Sequence, residues 1–148
     1  MTRRDAREQA FALIFQMNYT DEPVKDLAEA AFLCRDEEMD PYALKVAEAF
    51  QEHFLEVDAT INRYSTKWKL SRLSKVTATV LRLAVCELDY IDDVPVGAVI
   101  NEAVELAKKY GGDEDPAYVN GVLGGYARAK ESGGKASEEA AASVSEEE

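Results

Sequence analysis

Arg3-Arg-Asp-Ala-Arg-Glu-Gln-Ala-Phe-Ala-Leu-Ile-Phe-Gln-Met17 places Ala6, Ala10, Leu13, Ile14 and Met17 at spacings of three and four. That is the period of a helix with one buried face, and it recurs outward along the chain. Asn18-Tyr-Thr-Asp-Glu-Pro23 interrupts it, and a shorter helix is predicted over residues 24–34. Asp40-Pro41 marks the next start, an aspartate to accept a free backbone N–H followed by a proline where no helical donor is required. Tyr42, Val46, Ala49, Phe50 and Phe54 trace a third helix, and Val57, Ile61 and Tyr64 a continuation of it or a fourth. Ser74 is placed to cap the next, which carries Val76, Val80, Leu83, Ala84 and Leu88. Asp92-Asp-Val-Pro95 ends it, and Val96 to Tyr110 reads as a sixth helix. Asp115-Pro116 repeats the start signal before Tyr118, Val119, Val122, Leu123 and Tyr126.

No segment alternates with a period of two between turn residues, so no sheet is expected. The predicted fold is all-α, a single compact domain of about seven helices over residues 1–130. Residues 131–148 contain Gly, Ser, Ala and Glu with one Val and one Lys. Too little apolar surface is present there to offset the entropy of ordering, and a disordered acidic tail is predicted.

With 148 residues, 47% of them hydrophobic, the chain can fill one core. No apolar run reaches the ~18–20 residues of a membrane span. Met1-Thr-Arg-Arg-Asp-Ala-Arg-Glu8 puts charge where a signal peptide needs apolar residues, so a cytoplasmic protein is expected. Cys34 and Cys86 lie far apart and outside any metal or redox spacing; Cys86, in an apolar helix, reads as a small buried hydrophobe.

The net charge of −12 argues against indiscriminate nucleic-acid binding, but its distribution is uneven. Glu131, Glu138, Glu139, Glu146, Glu147 and Glu148 against Lys135 put −5 in the tail and −7 in the body. Ala59 to Cys86 contains no acid and carries Arg63, Lys67, Lys69, Arg72, Lys75 and Arg82. Arg3, Arg4 and Arg7 gather at the N-terminus. The chain therefore has room for a focused basic site.

Nothing in the sequence assembles an enzyme. The single histidine, His53, sits mid-helix without ligand partners and reads as a helix surface or boundary residue. Tyr110-Gly-Gly-Asp113 and Asn120-Gly-Val-Leu-Gly-Gly125 follow no strand and do not match a phosphate loop. Glu37-Glu38 and Asp92-Asp93 fall in predicted loops, where they solvate the chain. No cofactor or metal is expected.

Three stretches carry a family resemblance: Arg3-Arg-Asp-Ala-Arg-Glu8, Leu81-Arg-Leu-Ala-Val-Cys-Glu-Leu88 with Asp93-Val-Pro95, and Val99-Ile-Asn-Glu-Ala-Val-Glu-Leu-Ala-Lys-Lys-Tyr-Gly111 with Tyr118-Val-Asn-Gly-Val-Leu123. In order and spacing they resemble the NusB family of transcription antitermination factors over residues 3–128. The resemblance implies pairing with NusE, a ribosomal protein, and joint binding of single-stranded boxA RNA in transcription elongation complexes on ribosomal RNA operons. A related helical domain precedes some rRNA cytosine methyltransferases. No strand-rich, glycine-loop domain follows in this chain, so the binding module is expected.

The resemblance implies an RNA-binding arm at Arg3, Arg4 and Arg7, whose planar cations suit phosphates and bases. Arg4 and Arg7 are both predicted to be exposed; a plain solvated first turn is the alternative. Arg7, Phe11 and Phe15 form a stripe that suits either RNA stacking or, more often, a core. Tyr110 and Tyr118 are implied to line the RNA site, with packing as the alternative. Many family members carry lysine where this chain has Ala117, which removes a phosphate contact. Trp68, between Lys67 and Lys69, is either a stacking platform or a core anchor. Glu87 matches a family position at the NusE interface, or is a plain surface glutamate. Gly121, which costs about 1 kcal/mol relative to alanine within a helix, predicts a close helix–helix approach.

Overall fold

The computed structural model describes residues 2–132, and among these every regular element is helical. The helices are α1 (Arg3–Gln16), α2 (Val24–Arg35), α3 (Pro41–Tyr64), α4 (Lys75–Tyr90), α5 (Val96–Tyr110) and α6 (Asp115–Glu131), with one 3-10 turn at Leu70–Arg72. The expected third and fourth segments are one helix. The chain leaves helical geometry only at His53, and the apolar period resumes on the far side, so α3 bends without stopping. The predicted tail lies outside the described residues except for Glu131, which ends α6, and Ser132.

The start signals act as their chemistry requires. Thr2 caps α1 in a reciprocal box with Asp5. Asp40 accepts from the Tyr42 N–H at 2.8 Å, and Ser74 from Thr77 at 3.1 Å. Asp115 differs: its carboxylate accepts from the Gly112 N–H at 2.8 Å, closing the loop before α6 instead of capping the helix. A Cβ on Gly111 would lie 2.7 Å from the Asp115 carboxylate and 2.8 Å from the Ala107 carbonyl, so this turn needs glycine. Gly121 is otherwise. A Cβ there meets nothing within 4 Å, so no neighbouring helix accounts for it.

Helix α4 is the centre of the molecule, packing against α1, α3, α5 and α6. Its residues Val80, Leu81, Leu83, Ala84, Val85 and Cys86 are all buried, and burial pushes the Cys86 thiol well above its usual range. Leu13 and Ile14 of α1, Val57 and Ile61 of α3, and Leu123 of α6 complete the core around it. His53 stacks on Tyr90 at 4.1 Å, fixing the bend of α3 against the end of α4. Among the described residues no helix is long and apolar enough to cross a membrane.

Candidate nucleic-acid interface

Arg4 with Glu102, and Glu8 with Lys109 and Tyr110, join the edges of α1 and α5, and the predicted arm divides into three different environments. Arg3 is exposed, and its guanidinium carbon sits 3.8 Å from the centroid of the Tyr42 ring. Arg4 reaches α5, donating to both carboxylate oxygens of Glu102 at 2.9 and 2.8 Å while its side chain stays 64% exposed. That fork holds the Glu102 carboxyl below its usual range. Arg7 is only 6% exposed and donates to Glu87 at 2.7 Å.

The burial of Arg7 overturns its expected exposure on the first turn. Position 7 precedes Ala10 and Phe11 by three and four residues, so it faces inward with them. Glu87 is likewise not a surface glutamate. It is 2% exposed, and the Tyr42 hydroxyl also donates to it, which together with burial keeps that phenol protonated far above its usual range. Two residues assigned to different surfaces are thus each other's buried partner.

A second anion bridges α1 and α5. Glu8 accepts from Lys109 at 2.7 Å and from the Tyr110 hydroxyl at 2.6 Å, and these bonds lower its pKa. The Tyr110 ring is 44% exposed on one side and stacks on Phe11 on the other, at 5.1 Å and 11°. Phe11 continues to Phe15 and Phe15 to Tyr19, so four rings run in a column whose inner members are core and whose ends reach solvent. Lys109 lies over the exposed end at Tyr110, 5.3 Å from the ring centroid.

Tyr118 lies in other surroundings. Its hydroxyl hydrogen-bonds with Ser65 and accepts from the Trp68 N–H at 3.2 Å, tying the start of α6 to the acid-free connection between α3 and α4. A groove of about 750 Å³ opens there, lined among others by Lys67, Trp68, Arg72, Asp113, Ala117 and Tyr118. Trp68 is 48% exposed, so the core-anchor reading does not hold. Lys67 sits 5.8 Å over its ring. Tyr110 therefore joins the arm and Tyr118 joins the basic connection. Tyr110 has Lys109 over its ring, and Tyr118 shares its groove with Lys67 and Arg72 as well as with Asp113, Glu114 and Asp115; an aromatic beside a cation suits unpaired bases and their phosphates. Among the described residues no group of three or more His, Cys, Asp or Glu side chains is placed to hold a metal.

Sequence reasoning missed Tyr42, Glu8 and Glu102 as parts of this edge. Tyr42 carried the apolar signal of a core face, and the carboxylates meet their cations across 98 and 101 residues of chain, with no local signature.

The family model described as the NusB family matches residues 4–128. The transcription antitermination protein NusB of Agathobacter rectalis is 44% identical over 133 residues, covering 86% of this chain and 100% of that protein. Among solved structures, T. maritima NusB superposes with a TM-score of 0.76 at 33% identity, over 86% of this chain and 92% of that one. A structure described as antitermination factors NusB and NusE in complex with dsRNA matches with a TM-score of 0.73 at 28% identity, over 83% and 93% of the two chains.

Proposed function

The chain belongs to the NusB family of transcription antitermination proteins, and from that premise we propose that it binds single-stranded boxA-type RNA together with ribosomal protein NusE. It is a regulatory binding protein and not an enzyme. Its place of action is the transcription elongation complex on ribosomal RNA operons, in the cytoplasm, with a consequent role in ribosome biogenesis.

The observation that carries this reading is the α1–α5 edge, where Lys109 lies over the exposed ring of Tyr110, exposed Arg4 reaches across to Glu102, and exposed Arg3 rests next to it on Tyr42. Phosphate contacts by the cations supply affinity, and stacking on the ring, at ~1–3 kcal/mol per base, favours unpaired strands. The groove at Trp68 and Tyr118 extends the RNA path. A NusB–NusE complex with dsRNA among the structural relatives supports both RNA and NusE as partners. Arg7 serves this surface from within, by fixing α1 to α4. Glu87 is not offered as a direct NusE contact, because its carboxylate is enclosed with Arg7 and Tyr42. The exposed Asp92 and Asp93 at the exit of α4 suit a basic ribosomal protein instead.

A rival reading, a helical adaptor that binds protein alone, draws on the internal pairing of Arg4 and Arg7. Equilibrium binding of a boxA-type strand and a scrambled strand at one salt concentration, with and without NusE, separates the two. Preference for the boxA-type strand, strengthened by NusE, is the expected result. NusE binding with no RNA preference would establish the adaptor.

A further inference from the structure

Of the three arm arginines, Arg3 is the one that, among the described residues, has no carboxylate within ion-pair distance. Arg4 is held by Glu102 and Arg7 by Glu87. Arg3 rests instead on a neutral ring, with its carbon 3.8 Å from the Tyr42 centroid. That distance is van der Waals contact, so the guanidinium lies over the tyrosine ring while the side chain remains exposed.

Tyr42 is itself immobilised. It sits in the first turn of α3, with its backbone N–H bonded to Asp40 and its hydroxyl to the buried Glu87 carboxylate. Arg7 closes the other side of that carboxylate at 2.7 Å. The ring is thus anchored at both ends, and it cannot turn away without leaving Glu87 a hydrogen bond short. An arginine side chain loses considerable rotamer entropy when it binds a ligand; a platform that already restricts it reduces that loss.

We propose that Tyr42 is a positioning residue for RNA binding, presenting Arg3 as a flat cation whose outer face stacks on an unpaired base while its N–H edge meets a phosphate. The inference rests on the RNA-binding reading above and assigns Arg3, not Arg4 or Arg7, as the cation free in advance of RNA. A guanidinium between a tyrosine ring and a base is favoured on both faces, by the ring quadrupole and by stacking. It needs no displacement of an internal anion.

The test is a double-variant cycle read by RNA affinity, using a boxA-type single strand, NusE and the full chain, with a melting curve for each protein. Tyr42→Phe keeps the platform and is expected to hold affinity within about twofold. Tyr42→Leu removes the ring and is expected to weaken binding about threefold, the equilibrium equivalent of an exposed cation–π contact. Arg3→Ala is expected to cost at least as much and to reduce the log affinity–log salt slope by about 0.7. Arg3→Lys, which keeps charge but not the plane, should lower affinity at unchanged slope. In the Tyr42→Leu/Arg3→Ala protein the loss should equal that of Arg3→Ala alone, a non-additivity that simple destabilisation does not produce. Multiplicative losses in the double variant, or wild-type affinity in a folded Tyr42→Leu protein, would overturn the role of Tyr42 while leaving RNA binding intact. Absence of RNA binding by the wild-type protein with NusE would overturn the function itself, and this inference with it.

Discussion

Arg7→Ala is expected to be a fold variant before it is an RNA variant. Wild-type Arg7 and Glu87 are 6% and 2% exposed and meet at 2.7 Å. Removing the guanidinium leaves a carboxylate sealed between α1, α3 and α4 with only the Tyr42 hydroxyl to stabilise it. Breaking a buried pair in this way costs about 3–5 kcal/mol, because the remaining charge has neither water nor a counter-ion. A domain of this size has a total stability of ~5–15 kcal/mol. At about 3–5 °C per kcal/mol the melting midpoint should fall by roughly 10–20 °C. The assay is thermal and urea unfolding followed by circular dichroism, with Arg7→Met/Glu87→Met as the comparison. The double variant removes both charges, and most of the loss should be recovered, since an apolar replacement of a buried pair is often neutral. A change below about 1 kcal/mol in Arg7→Ala would refute the reasoning. It would mean that water reaches Glu87, or that the pair is open in solution.

Arg4→Ala, by contrast, should leave the melting midpoint nearly unchanged, because the Arg4 side chain in its pair with Glu102 is largely in solvent. Its salt slope for single-stranded RNA should shrink by about 0.7, and an unchanged slope would place Arg4 off the RNA path. Glu102→Gln releases Arg4 from its internal carboxylate and is expected to tighten RNA binding in the same titration; weakened binding would show that the carboxylate orients Arg4 productively. Gly111→Ala should cost about 1–3 kcal/mol in urea unfolding, since its Cβ would press on the Ala107 carbonyl and Asp115. The pH profile follows from Glu8 and Glu102, whose carboxyls are held down chiefly by hydrogen bonds from Lys109 and from Arg4. Their contribution is complete above the ordinary carboxylate value of 4.5 and is lost as pH falls through the lower folded values. The melting midpoint should decline there, and less steeply in Glu8→Gln/Glu102→Gln.

Most of the fold was legible because helix signals are local. Asp40-Pro41, Ser74 and the apolar period of α1 each act within a few residues, and each marks an element that is present. The union of two predicted segments into α3 was not legible: at the bend His53 stacks on Tyr90, a neighbour that no short window contains. The site was readable as a list of residue types and not as an arrangement. Arg7 had the inward phase of Ala10 and Phe11 in plain view, but charge outweighed periodicity because its partner lies 80 residues away. Trp68, left open between stacking platform and core anchor, is a large ring that stays half in solvent beside Tyr118. Burial of a charge and exposure of an indole are both settled by non-local neighbours.

The long-range pairing of α1 also sets an order of events during synthesis. Arg7, Arg4 and Glu8 find their partners at residues 87, 102, 109 and 110, so the polar contacts of α1 wait long after its apolar face can pack on α3. At ~5–20 residues per second, a wait of roughly 100 residues lasts about 5–20 s. Throughout that interval Arg4 and Arg7 lack the carboxylates that will hold them. The Arg4–Glu102 and Glu8–Lys109 pairs form only when α5 has emerged, so the polar edge of α1 is completed well after its apolar face.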